Sequence, residues 1–177
     1  MNYYDFQVVF QEVPGEISLC FSICGCPLKC DGCHSPYLWK EFNGETLTDE
    51  RFIELLQQYE NLATCVLFMG GEWHEEQLVN MLKLARQKCY KTCLYTGEDT
   101  VSKTILNELN WVKTGKWNPD LGGLNSERTN QKFIEIKSNT IKNNLFIKNY
   151  LIDLRIPLKE NSFNFVFLFI IFLTSST

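Results

Sequence analysis

Three cysteines in Cys26-Pro-Leu-Lys-Cys30-Asp-Gly-Cys33 stand at a C-x3-C-x2-C spacing, within a segment from Cys20 to Cys33 that holds five of the chain's eight cysteines. Gly25, Pro27, Gly32 and Pro36 surround them and a β-rich run precedes them, so the three thiols belong to a turn-rich loop at a strand end. Cysteine thiolates hold iron–sulfur clusters. A four-iron cluster with only three protein ligands keeps one iron open. An open coordination position is what reactive metal sites share, whereas closed sites are structural.

Other chemistries compete for the same loop. Cys30-Asp-Gly-Cys33-His34 is formally the C-x-x-C-H pattern of c-type haem attachment. That attachment needs export, and MNYYDFQVVFQEVPGEIS lacks the basic and apolar regions of a secretory signal. Zinc could use Cys26, Cys30 and Cys33 with His34 or Cys24, but Cys33 and His34 are adjacent and no paired second knuckle follows. Cys65, Cys89 and Cys93 lie on or beside apolar strands and read as small buried hydrophobes, as do Cys20 and Cys24 in the strand before the loop. A non-catalytic metal-binding module therefore stands beside the enzyme reading.

Composition narrows the classes further. The 177 residues are 45% apolar and 21% charged, as in a single globular domain. A net charge of −4 and a pI near 5.3 exclude a duplex-binding surface built on phosphate neutralisation, so no nucleic-acid partner is expected. Two histidines exclude a His-rich metal site. Clustered thiols without an export signal are expected in a reducing compartment, so a cytoplasmic protein is the starting expectation.

The elements that position the loop can be read from periodicity. Residues 5–23 are extended, with a turn at Pro14-Gly15. Residues 48–59 form a helix with Thr48 as N-cap, Leu47 and Phe52 as staple, and Phe52, Leu55, Leu56 and Tyr59 on one stripe. TCVLFM at 64–69 is a continuous apolar run, the mark of a buried parallel strand. A helix at 74–88, a strand at 92–96, a helix at 100–109 and strands at 111–114 and 132–136 follow. This alternation predicts an α/β protein with a parallel sheet and right-handed crossovers.

Gly70-Gly71-Glu72 directly after the 64–69 strand is the second site candidate. Ligands bind at the carboxyl edge of parallel strands. There a glycine pair allows close backbone approach, and the Glu72 carboxylate with nearby carbonyls offers acceptors to a cationic amine. Taken alone, the same residues are a simple turn into the next helix. Lys113 either faces a bound substrate or is a surface lysine at a strand end, and the second reading is preferred. Asn125, Thr129, Asn130 and Gln131 either position a partner loop or satisfy a turn.

With these residues in view, the chain resembles a known family. The spacing Cys26-x3-Cys30-x2-Cys33 is that of the radical S-adenosylmethionine superfamily. GCPLKCDGCHSPYLW at 25–39, TCVLFMGGE at 64–72, VKTGKW at 112–117 and LGGLNSERTNQKF at 121–133 are similar to activating proteins of the anaerobic (class III) ribonucleoside-triphosphate reductases. The resemblance covers about residues 3–137. It implies a partial, open β/α barrel of radical S-adenosylmethionine type, with Cys26, Cys30 and Cys33 as ligands of a [4Fe-4S] cluster. By the same resemblance Gly32, Cys33 and His34 pass beside the adenosyl part of S-adenosylmethionine, His34 standing where an aromatic ring is usual, and Gly70, Gly71 and Glu72 meet its methionyl ammonium.

The implied reaction is reductive cleavage of S-adenosylmethionine and abstraction of a hydrogen atom from a backbone glycine of the reductase large subunit. The electron would come from a flavodoxin-like or ferredoxin-like donor. The docking face expected from the resemblance lies around the cysteine loop and residues 117–131. An activator of pyruvate formate-lyase and a small-molecule radical enzyme are alternatives within the superfamily, though both are usually longer chains.

After residue 138 the composition shifts to Ile, Leu, Phe, Asn and Lys, and nothing there matches the family. Residues 1–138 are read as the core and 139–177 as a divergent tail, one explanation being a shifted reading frame in AT-rich DNA. The run FNFVFLFIIFL at 163–173 is shorter than the roughly 20 residues of a membrane helix. It reads as a buried strand or short helix, a partner or interfacial contact, or an unfolded tail.

Overall fold

The computed structural model describes residues 1–147. Eight strands make one sheet: β1 (Asn2–Val9), β2 (Ser18–Ile23), β3 (Glu45–Thr46), β4 (Cys65–Met69), β5 (Lys91–Tyr95), β6 (Trp111–Thr114), β7 (Lys132–Glu135) and β8 (Thr140–Ile141). Three helices, α1 (Asp49–Gln58), α2 (Glu75–Gln87) and α3 (Lys103–Leu106), lie between them in the chain. The strand order is β3-β1-β2-β4-β5-β6-β7-β8.

The fold is mixed α/β. The parallel sheet expected from the alternation occupies only the middle, where β2, β4, β5 and β6 run parallel. The outer pairings, β3 with β1, β1 with β2, β6 with β7 and β7 with β8, are antiparallel. The cause lies in the connections. Parallel neighbours need a crossover, usually a helix, and α1, α2 and α3 supply one before β4, β5 and β6. No helix separates β1 from β2 or β6 from β7, so those chains fold back.

Both faces of the sheet are covered. One face packs Leu19, Phe21, Ile23, Val66, Phe68, Leu94 and Val112 against the apolar stripes of α1 and α2. The other face gathers Cys20, Cys65, Leu67 and Cys93 with Val13, Leu124 and Phe133. This double coverage explains the unbroken apolar runs of the central strands. Phe21 is the hub of the first face, with ring centroids 5.0 Å from Phe6, 5.2 Å from Phe52 and 5.5 Å from Phe68.

The α1 cap forms as expected: the Arg51 amide donates to Thr48 Oγ1 at 3.2 Å, and Leu47 and Phe52 are both buried. Replacing Thr48 with Ala leaves that amide unpaired, and denaturant unfolding should show a loss of about 1 kcal/mol. The helix expected over 100–109 is only Lys103–Leu106. Ser102 caps it through the Ile105 amide at 3.2 Å, and the chain must then turn so that the Asn110 amide reaches the Thr92 carbonyl at 2.9 Å. Ile105 and Leu106 of this single turn, with Val101 before it and Leu109 after it, still pack on the core.

Two expectations about single residues are corrected. Cys89, read as a buried thiol, is exposed beyond the end of α2, in the left-handed region at φ 64°. Lys113, read as a surface lysine, is buried.

Past residue 138 the chain adds β8 to the sheet edge. Asn143 then accepts from the Phe133 amide and donates to the Gln131 carbonyl, both at 2.8 Å, and the Phe146 ring lies 5.0 Å from Phe133. The run at 163–173 lies outside the described residues. Among the described residues, no helix is long and apolar enough to cross a membrane.

Candidate functional site

The carboxyl ends of β2, β4, β5 and β6 all lie at one edge of the sheet, the usual place for a ligand in a parallel α/β arrangement. The cysteine loop leaves β2, Gly70-Gly71-Glu72 leaves β4, Thr96-Gly97 leaves β5, and the segment from Gly115 to Trp117 leaves β6. Residues from all four segments line a single cleft of about 250 Å³.

The cysteine loop is pinned at its start. The Cys24 amide donates to the Asn2 carbonyl at 2.9 Å, and the amides of Gly25 and Cys26 both donate to the Leu38 carbonyl, at 2.7 and 3.0 Å. Gly25 makes this reversal at φ 89°, a conformation that L side chains avoid. Cys26, Cys30 and Cys33 all line the cleft. Burial pushes the Cys26 thiol upward, and bonds from the Leu28 and Lys29 amides oppose that. The Ser35 amide donates to Cys33 Sγ at 3.4 Å. Amides aimed at sulfur favour thiolate over thiol.

Among the described residues, no three His, Cys, Asp or Glu side chains converge on one metal-ion position. A four-iron cluster gives each thiolate its own iron, so its ligands stand further apart than those of one ion.

Opposite the loop, Gly70 turns the chain out of β4 at φ 83°, and its amide donates to the Tyr95 carbonyl at 2.8 Å. A Cβ on Gly70 would stand 2.6 Å from Trp73 Cη2, so only glycine fits against that indole. Glu72 follows with one oxygen engaged by the Thr96 hydroxyl. Its other oxygen, Oε2, is buried and accepts no hydrogen bond among the described residues. Burial raises the Glu72 pKa, with the Thr96 bond acting against it. A buried, half-satisfied carboxylate is costly unless a donor arrives. Its free oxygen suits an ammonium group, and this is the observation by which the residues fit an amino-acid-bearing cofactor.

Lys113, on β6 opposite Tyr95, lines the same cleft. Its Nζ donates to the Gly115 carbonyl at 2.9 Å and the Thr96 carbonyl at 3.4 Å. Burial lowers its pKa to about 8, against the attraction of Cys30 and Glu72. His34 and Trp117 form the outer wall, their ring centroids 4.3 Å apart. The buried Trp117 Nε1 donates to nothing among the described residues.

The structure thus brings Cys26, Cys30, Cys33, His34, Gly70 and Glu72 to one cleft. Gly32 and Gly71 do not line it. Gly32 lies against the Trp117 indole, and Gly71 packs toward Ile23. Sequence reasoning missed Thr96, Tyr95 and Trp117 as lining residues, and for Lys113 it weighed a substrate-facing role but preferred a surface one. The available signal was positional, since each sits in or just after a central parallel strand. A larger cleft of about 690 Å³ adjoins the first and shares His34, Tyr95, Lys113 and Trp117 with it. Asn125 and Gln131 line its far side.

Residues 14–140 match the protein family described as a 4Fe-4S single cluster domain. The pyruvate formate-lyase-activating enzyme of Clostridium pasteurianum is 32% identical over 79 residues, covering 41% of this chain and 33% of that protein. The chain thus spans about a third of the length of the curated relative it matches. No solved structure matches.

Proposed function

Because the chain belongs to the family of 4Fe-4S single cluster domains, we propose that it is a radical S-adenosylmethionine enzyme that installs a glycyl radical on a partner protein. The observation carrying this reading is the shared cleft, lined by three loop cysteines and by Glu72, one of whose carboxylate oxygens is buried and unpartnered among the described residues.

In this reading Cys26, Cys30 and Cys33 ligate the cluster. Glu72 Oε2 accepts the methionyl ammonium at the carboxyl end of β4, and Gly70, which lines the cleft, and Gly71, which does not, make the turn that carries it there. Gly32, Cys33 and His34 run beside the adenosyl group, and Trp117 backs the His34 ring. The cleft of about 250 Å³ falls below the roughly 300–1,000 Å³ of ordinary cofactor pockets, so the cofactor extends toward the adjoining cleft. When bound, the two groups supply one-electron cleavage of a carbon–sulfur bond and the hydrogen-atom abstraction that follows. The protein's own part is ligation, orientation and exclusion of water. The eight-stranded sheet then forms the wall of a partial β/α barrel, open on the side where a glycine-bearing loop enters past residues 117–131. Residues 1–138 carry the reaction, in an anaerobic cytoplasm, with a flavodoxin-like or ferredoxin-like protein as electron donor.

The partner we assign is the anaerobic ribonucleoside-triphosphate reductase, on the strength of the strings at 25–39, 64–72, 112–117 and 121–133. The likeness to a pyruvate formate-lyase-activating enzyme favours a second reading, with pyruvate formate-lyase as partner. Anaerobic mixing of the loaded protein with each enzyme, S-adenosylmethionine and dithionite separates them. A glycyl-radical resonance only on the reductase supports the first reading, one only on the lyase supports the second, and none on either contradicts both.

Glu72→Gln tests the ammonium site. It keeps the shape and the Thr96 contact but removes the charge, so it should weaken S-adenosylmethionine binding to the loaded protein by about 10- to 100-fold, the scale of one hydrogen bond to a charged group. Anaerobic calorimetry at equal iron content reads that change directly.

A further inference from the structure

We infer that the Lys113 ammonium is the positive charge that sets the reduction potential of a cluster held by Cys26, Cys30 and Cys33, an inference that rests on the cluster site proposed above. Lys113 belongs to β6, a strand in the parallel middle of the sheet, and only 9% of it is exposed. Its Nζ is fixed by two backbone carbonyls, those of Gly115 and Thr96, which carry no net charge. Among the described residues, no carboxylate lies within ion-pair distance of it. Burying an unpaired ammonium is costly, and a methionine of similar length would fill the same space without that cost.

Two groups of the same cleft, Cys30 and Glu72, favour this charge. Glu72 already accepts from Thr96, and in the proposed function its free oxygen meets the cofactor's ammonium. The cysteine side is then the remaining counterpart for Lys113. In a loaded site three thiolates outweigh the positive charge of the iron–sulfide core, and accepting one electron makes the site more negative still. A fixed cation nearby therefore favours the reduced form more than the oxidised one, and in a buried cleft the attraction is screened less than in water. Net charge, burial and hydrogen bonds to sulfur are the levers a protein has on cluster potential. Here the charge lever is Lys113.

The test uses the full chain loaded anaerobically with iron and sulfide, as wild type and as Lys113→Met, Lys113→Gln and Lys113→Arg. Each is assayed for iron and then titrated with dithionite and mediators without S-adenosylmethionine, with reduction followed by electron paramagnetic resonance. The two neutral variants should hold wild-type iron and reduce at a more negative potential, while Lys113→Arg stays with the wild type. Equal potentials at equal iron overturn the inference and leave the cluster site standing. Loss of iron in the neutral variants also overturns it, because a tuning charge is not a requirement for assembly. Potentials displaced equally in all three variants point to packing rather than charge and overturn it too. A wild type that takes up no iron removes the cluster reading and this inference together.

Discussion

Cys30→Ser should leave a folded protein that binds no cluster and has no activity. Cys30 is buried, but it belongs to the loop and to neither of the two apolar clusters of the sheet. The loop's anchors, the Cys24, Gly25 and Cys26 amides, lie outside the substitution. Far-ultraviolet circular dichroism and the unfolding midpoint should therefore match the wild type, while bound iron falls to background and no glycyl radical forms. The contrast is Cys93→Ser. Cys93 is fully buried among Cys20, Cys65 and Leu67, where burial raises the thiol pKa well above its usual value. A hydroxyl there loses stability, by about 1–3 kcal/mol for an unsatisfied buried polar group, and iron content stays unchanged. Iron lost from both variants alike would break the separation between ligand and packing cysteines.

Phe21→Ala should cost about 3–5 kcal/mol, the range for a large aromatic removed from a closed core. Phe21 has no exposed surface and touches aromatic partners from β1, α1 and β4. Those contacts join the first antiparallel hairpin to the parallel middle of the sheet, so the cavity cannot close by moving one element. A domain's whole stability is about 5–15 kcal/mol, and a loss of this size leaves a protein that unfolds at low denaturant. The effect reaches the site because β2 runs directly into the cysteine loop. Chemical unfolding of the apoprotein measures it, and a loss below 1 kcal/mol would show that Phe21 is not the hub.

Much of this architecture is written in local pattern. The Thr48 cap and the Phe52, Leu55, Leu56 stripe define α1, and the run at 64–69 defines β4 because a strand covered on both faces needs no polar alternation. The two-residue strands β3 and β8 carry no such pattern, since two residues cannot show a period. Strand direction was legible only where a helix intervenes, which is why the antiparallel edges escaped the reading of a parallel sheet. Lys113 misled for a related reason. A lysine near a strand end ordinarily reaches solvent, but β6 is flanked by β5 and β7 and its carboxyl end turns into the cleft. The cysteine spacing and the glycine pair announced themselves, whereas Thr96 and Trp117 matter only through where the sheet edge puts them.

The measurement that bears most directly on this account is anaerobic loading of the full chain with iron and sulfide. About four irons and four sulfides should be taken up per chain, and after dithionite reduction an electron paramagnetic resonance signal should appear whose shape changes when S-adenosylmethionine is added. A chain that stays iron-free, or a reduced signal indifferent to S-adenosylmethionine, would contradict it.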